Sequence, residues 1–157
     1  MPQKQNSTPL IYHADDDEDD RLLFTDAVDE LDLLVDVQQA ADGQALLDAL
    51  YRSSGQLPEI IFLDINMPKK SGFECLEELR KAAGPLKAVR VVMLSTSGSP
   101  ENIARAFELG ADLYAVKPST FAGLKELLSA ILGEGREPVQ EFKSSGNKVY
   151  SSLTWVL

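Results

Sequence analysis

Apolar residues gather in short runs along the chain, each followed by a stretch with helical spacing. Leu10 to Ala14, Ile60 to Leu63, Val89 to Leu94 and Leu113 to Val116 read as strands. Ile60 to Leu63 has no polar alternation, the mark of a strand buried on both faces in a parallel sheet. Leu33, Val35 and Val37 instead alternate with Leu34, Asp36 and Gln38, which suits a sheet edge. Between the strands lie stripes at i, i+3, i+4, i+7: Phe24, Ala27, Val28 and Leu31, then Leu46, Ala49 and Leu50 on a helix over 45–53. Phe73, Leu76, Leu79 and Ala83 form a third stripe, and Leu124, Leu127, Leu128 and Ile131 the last. Ser99-Pro100 has the cap and first-turn residues that open a fourth helix, and Gly110 stands where a left-handed C-cap is expected. Leu22 lies nearly opposite the first stripe and is expected in solvent. Five strands alternating with five helices predict an α/β fold, a doubly wound five-stranded parallel sheet.

That sheet would fill 9–133. The polar residues 1–8 read as a flexible N-terminal arm, and 134–157 as a C-terminal extension too short for another domain. The extension ends in the apolar stretch Val149 to Leu157. This is either a loose tail or an arm that packs on its own domain or on the edge of another chain, which would make a homodimer.

The polar residues that follow the strands carry the chemistry. In a parallel sheet the C-terminal strand ends share one rim, where α/β folds bind ligands. Asp15 and Asp16 follow the first strand, Asp64 ends the central one, Ser95 follows the fourth and Lys117-Pro118 the fifth. Taken singly, an acidic run at a helix start is a solvated cap, and a Lys-Pro pair is a turn. Their ordered occurrence at four strand ends predicts a site. Clustered carboxylates repel by about 4 kcal/mol per pair at 4 Å and an effective dielectric near 20, which a divalent cation relieves. An oxygen-only donor set suits Mg²⁺, which prefers one or two carboxylates plus a phosphoryl oxygen. Asp64 is then the natural nucleophile toward phosphorus, with Lys117 and Ser95 on the transferred oxygens. His13 lies inside its strand rather than past its end and reads as structural. No other histidine is present, so Ser-His-Asp hydrolysis is unsupported.

Composition narrows the rest. The net charge of −10 over 157 residues argues against a nucleic-acid-binding surface, which would need a basic patch, and disfavours anionic membranes. The single cysteine, Cys75, forms no internal disulfide, reads as a packing residue and fits the cytoplasm. No apolar run is long enough to span a bilayer, and residues 1–9 lack the apolar core of a signal peptide.

These pieces resemble the receiver domain of two-component response regulators over Leu10 to Leu132. The match consists of Asp15-Asp16, Leu63-Asp64-Ile65-Asn66-Met67-Pro68 with Gly72 following, Ser95, and Lys117-Pro118. The resemblance implies a flavodoxin-like fold with strand order 2-1-3-4-5, and Asp64 as phosphoacceptor from a sensor histidine kinase or phosphotransfer protein. It implies Mg²⁺ ligated by Asp16, Asp64 and the Asn66 backbone carbonyl, with Asp15 acting mainly through water. Lys117 would bridge to the phosphoryl group, with a cis bond to Pro118. Ser95 and Tyr114 match the switch pair, and Asn66 and Ser97 the positions that tune dephosphorylation. The acidic run Asp15 to Asp20, the long loop before Pro58 and the short extension are similar to the single-domain subgroup paired with phytochrome-type kinases. Such a chain is no enzyme beyond its own phosphorylation and dephosphorylation, and signals through protein contacts or phosphorelay. A Mg²⁺-dependent phosphohydrolase would carry a second aspartate at position 66, where this chain has Asn66. A receiver-like module without phosphate would not keep Asp16, Asp64, Ser95 and Lys117 together.

Overall fold

The computed structural model describes residues 8–52, 56–133 and 148–151. The order is β1 (Leu10–Ala14), α1 (Glu18–Glu30), β2 (Asp36–Ala40), α2 (Gly43–Arg52), β3 (Ile60–Asp64), α3 (Gly72–Arg80), β4 (Arg90–Ser95), α4 (Pro100–Glu108), β5 (Leu113–Val116), α5 (Phe121–Leu132) and β6 (Val149–Ser151). The sheet runs β2-β1-β3-β4-β5-β6, parallel throughout except for β6, which pairs antiparallel with β5. The expected five-stranded parallel sheet is therefore there with a sixth strand added.

The unbroken apolar run of β3 has a direct cause. Ile61 and Leu63 face a core with Leu46, Leu47, Leu76 and Leu79 from α2 and α3. Ile60 and Phe62 face the opposite core with Phe24, Val28, Leu127 and Leu128 from α1 and α5. All four strand residues are fully buried, each contributing about 1.5–3 kcal/mol of apolar transfer. Helices cover both faces, so a polar residue in β3 has nowhere to go until the strand ends at Asp64.

Local chemistry sets the helix boundaries. Asp17 caps α1 by accepting from the Asp20 amide, and Thr120 caps α5 by accepting from Gly123. Ser99 caps α4, with Pro100 in its first turn. At the other end of α4, Gly110 takes φ 106°. Its amide reaches Phe107 and that of Ala111 reaches Ala106, the paired bonds of a left-handed cap. α2 begins two residues earlier than predicted because the Asp42 carboxylate accepts from the Ala45 amide and opens the helix at Gly43. α3 ends earlier than its stripe suggested: the chain leaves the helix at Lys81, and Ala83 is exposed. Gly84–Ala88 then forms a 3₁₀ turn, with Gly84 at φ 77°.

The predicted edge pattern holds in burial, with Leu33, Val35 and Val37 packed against the α1/α5 core and Leu34 81% exposed. Hydrogen bonding shifts the strand itself to Asp36–Ala40. Leu22 is exposed as expected, and so is its neighbour Leu23. The arm expected over 1–8 falls almost wholly outside the described residues, as does most of the 134–157 extension. The described part of that extension pairs with β5, with Tyr150 opposite Tyr114 and packed on the α2/α3 core. No helix among the described residues is long and apolar enough to cross a membrane.

Candidate functional site

The tips of β1, β3, β4 and β5 meet at one rim of the sheet. Asp15 follows β1 and is almost completely buried; Asp64 closes β3 with 7% exposure, and Ser95 closes β4 with 1%. Lys117 follows β5 and spans the cluster. Its Nζ lies 2.8 Å from Asp15 Oδ2 and 3.6 Å from Asp64 Oδ2. A third carboxylate, Asp20 Oδ2 in the first turn of α1, lies 3.1 Å from the same nitrogen. Asp20 does not stand out in the sequence, because a solvated cap at a helix start already accounts for an acidic first turn. The available signal was the spacing of Asp15, Asp17 and Asp20. Asp15 accepts from the Asp17 amide, Asp17 from the Asp20 amide, and the outer two share Lys117.

The electrostatics follow from this crowding. Burial pushes the Asp64 carboxyl from 3.8 up to about 6; Lys117 opposes the rise, while Asp15 and Asp16 add to it. Burial works against the Lys117 ammonium, but the carboxylates of Asp15, Asp64 and Asp20 outweigh it and raise its pKa.

Asp15, Asp16 and Asp64 each offer an oxygen, all within 4.8 Å of one another. The donor set is hard, anionic and partly open through exposed Asp16, which fits an oxygen-seeking divalent cation. Asn66 is exposed at the mouth of the β3–α3 loop.

That loop is tightly built. Lys69 takes φ 70°, and the Lys70 amide bonds back to the Pro68 carbonyl at 2.7 Å. The Gly72 amide bonds to Ile65 at 2.7 Å, and a Cβ at Gly72 would press on the Asp64 carbonyl oxygen and come within 2.9 Å of Ile65 Cα. Glycine is needed there because the loop closes directly on the backbone of Asp64. Gly72→Ala is expected to cost about 2–3 kcal/mol, the scale of overpacking a tight contact, and to misplace Asp64. A lowered urea midpoint, together with weakened binding of a phosphoryl mimic, would be the readout.

On the β4 side, the Ser95 hydroxyl oxygen accepts from the Ser97 amide at 3.0 Å. The Tyr114 hydroxyl donates to the Ser97 carbonyl at 2.6 Å, with the ring fully buried. Ser95 and Tyr114 are thus joined through one residue, Ser97. The Lys117–Pro118 bond is trans, like every described peptide bond, and not cis as the resemblance implies. Trans is the lower-energy form of such a bond by about 0.5–1 kcal/mol.

Two other sequence readings gain physical content. His13 stacks on Phe24 with ring centroids 4.0 Å apart. The Gln39 side-chain amide donates to its Nδ1 and to the Arg21 carbonyl. Burial, then the Lys117 charge, lowers the imidazole pKa to about 3, so the ring is neutral and structural. Cys75 is buried, and burial with nearby Glu78 raises its thiol to about 12, which leaves it unreactive. A cavity of about 270 Å³ opens beside Lys117, lined by Asp20, Leu23, Phe24, Phe121 and Leu124.

Comparison with known proteins agrees with this arrangement. The family model described as "Response regulator receiver domain" matches residues 11–129. A probable methanogenesis regulatory protein, FilR2 of Methanothrix harundinacea, is 31% identical over 136 residues, covering 82% of this chain and 87% of its own. The crystal structure of the phosphorylated cyanobacterial phytochrome response regulator RcpA is 28% identical with a TM-score of 0.72, over 80% of this chain and 91% of that one. The Mn²⁺-bound form of response regulator Rcp1 is 26% identical at the same TM-score, over 83% and 99% of the two chains. With four strand tips meeting around one acidic cluster and the family match spanning them all, this chain belongs to the response regulator receiver domain family, the phosphoacceptor domains of two-component signalling.

Proposed function

We propose that Asp64 accepts a phosphoryl group from the phosphohistidine of a sensor histidine kinase or phosphotransfer protein in the cytoplasm. The receiver domain over 9–133 then signals through protein contacts or passes the group on. The observation that carries the reading is the approach of Lys117 to within 3.6 Å of Asp64 at the centre of the acidic cluster. The P–N bond breaks as an Asp64 oxygen–phosphorus bond forms, and the departing ring nitrogen takes a proton from water to leave as neutral imidazole. Asp64 needs no general base, because a carboxyl that titrates near 6 is mostly ionised at neutral pH. The Lys117 ammonium is placed to move onto a phosphoryl oxygen. The Ser95 hydroxyl, whose oxygen accepts from the Ser97 amide, would turn its proton toward a second phosphoryl oxygen.

Asp15, Asp16 and Asp64, with the Asn66 carbonyl, would hold Mg²⁺. When bound, that ion supplies positive charge to the transferred oxygens. Mn²⁺ in Rcp1 shows that a similar protein takes a divalent cation.

A pull on the Ser95 hydroxyl reaches Tyr114 through the Ser97 carbonyl, so phosphorylation shifts the β4–α4 loop and the β5 surface together. Contacts that exist only with the phosphoryl group present drive this population shift. Asn66 and Ser97, at the positions that tune dephosphorylation in the family, would set the lifetime of the acyl phosphate. Beyond this self-chemistry the domain turns over no substrate. The similarity to RcpA supports a role among regulators paired with phytochrome-type kinases.

Titration with beryllofluoride in the presence of Mg²⁺, followed by amide NMR, tests the reading. Saturable binding that is lost without Mg²⁺ and in Asp64→Asn is the expected result. Turnover of external phosphate esters without such binding would favour a hydrolase instead.

A further inference from the structure

Lys117 is shared between carboxylates of different standing. Its two shortest contacts are Asp15 at 2.8 Å and Asp20 at 3.1 Å; Asp64 lies at 3.6 Å, beyond hydrogen-bond range for this geometry. Two of the ammonium's three protons are engaged by Asp15 and Asp20, so closing the gap to a phosphoryl group on Asp64 draws the nitrogen away from these partners and strains one of the two bonds. Asp15 is a poor partner to abandon. It is buried, and it belongs to the cluster that would hold the cation. Asp20 lies outside that cluster and its side chain is 41% exposed, so water solvates it once the ammonium leaves.

The backbone fixes Asp20 in place to hold Lys117. Its amide is tied to Asp17 at 3.0 Å, Asp17 is tied in turn to Asp15 at 2.9 Å, and Arg21 reaches the Asp15 carbonyl at 2.8 Å. The acidic turn is a brace that ends on the Lys117 nitrogen.

We propose that Asp20 is a positioning residue that anchors Lys117 in the unphosphorylated state and competes with the phosphoryl group for its ammonium. The brace makes the resting state more stable and raises the threshold for activation. This rests on Asp64 as the phosphoacceptor and adds a residue outside the metal and phosphoryl ligands. The competing contact is one partly exposed charge-assisted hydrogen bond, so its removal should tighten binding of a phosphoryl mimic by about fivefold.

The test measures the Kd for beryllofluoride at saturating Mg²⁺ in the wild-type chain, Asp20→Asn, Lys117→Ala and the double variant. Asp19→Asn serves as control, since it removes the same charge from the exposed side of the same turn. Asp20→Asn should bind about fivefold tighter than wild type and Asp19→Asn should change little, with the gain from Asp20→Asn vanishing in the Lys117→Ala background. Unchanged or weaker binding in Asp20→Asn, or an equal gain without Lys117, overturns the anchor. A wild-type chain that binds no beryllofluoride overturns the phosphoacceptor reading itself, and the competition with it. A purely structural role for Asp20 would lower stability without producing a Lys117-dependent gain in affinity.

Discussion

Replacing Asp64 by asparagine is expected to abolish phosphoryl incorporation, by at least about a thousandfold, while making the metal-free fold more stable at neutral pH. The loss follows from removing the nucleophile, for which no neighbour substitutes in the same geometry. The gain follows from the site's own crowding. The Asp64 carboxyl titrates near 6 in the fold, against 3.8 for its ordinary value, chiefly because it is buried. A group whose folded pKa is raised contributes stability that is complete below the unfolded value and lost as pH rises through the folded one. Wild-type stability should therefore fall between about pH 4 and pH 6 relative to Asp64→Asn, which has no such transition. A tenfold change in proton affinity is worth about 1.4 kcal/mol, and allowing for access of water to the rim leaves about 1–2 kcal/mol at pH 7. Urea midpoints of the two proteins at about pH 4.5 and pH 7.5 check the sign, and a wild type that gains on the variant across that range would contradict it.

Lys117→Ala should act in the opposite direction on the resting protein. The ammonium is the main compensation for Asp15, which is almost completely buried, and a share of that for Asp64. Removing one partner of a buried pair costs about 3–5 kcal/mol, and the partial exposure of the lysine brings the expectation to about 2–3 kcal/mol without metal. Mg²⁺ should recover at least half of this, because the cation takes over the same carboxylates. The thermal shift produced by Mg²⁺ is therefore larger in Lys117→Ala than in wild type. The variant still accepts a phosphoryl group on Asp64, yet its Tyr114 and β5 amide resonances move less than those of wild type. A full conformational response in Lys117→Ala would remove the role assigned to that ammonium.

The contrast between what could be read from residue order and what could not is physical. Ile60 to Leu63 announced a strand with no solvent face, and the carboxylate at its end could only emerge at the rim. Because parallel strands end on the same side, Asp15, Ser95 and Lys117 had to converge there too. Ser99-Pro100 and Gly110 were legible because capping is local chemistry.

Other features depended on contacts between distant parts of the chain. Val149–Ser151 is a three-residue strand, too short to carry a period, and only the open edge of β5 gives it a partner. Asp20 was hidden because one adequate cause, a solvated cap at the helix start, had already been assigned to its turn. Its distance to Lys117, across 97 residues of chain, reveals the second cause. The exposed Ala83 shows periodicity running on past a helix that Lys81 had ended.

The most direct measurement is the intact mass of the chain after incubation with acetyl phosphate and Mg²⁺, with hydroxylamine treatment of a parallel sample. One added phosphoryl group that hydroxylamine removes, absent without Mg²⁺ and absent from Asp64→Asn, is the predicted result. An unmodified wild-type chain, or the same added mass in Asp64→Asn, would contradict a site in which four strand tips serve a single acceptor carboxylate.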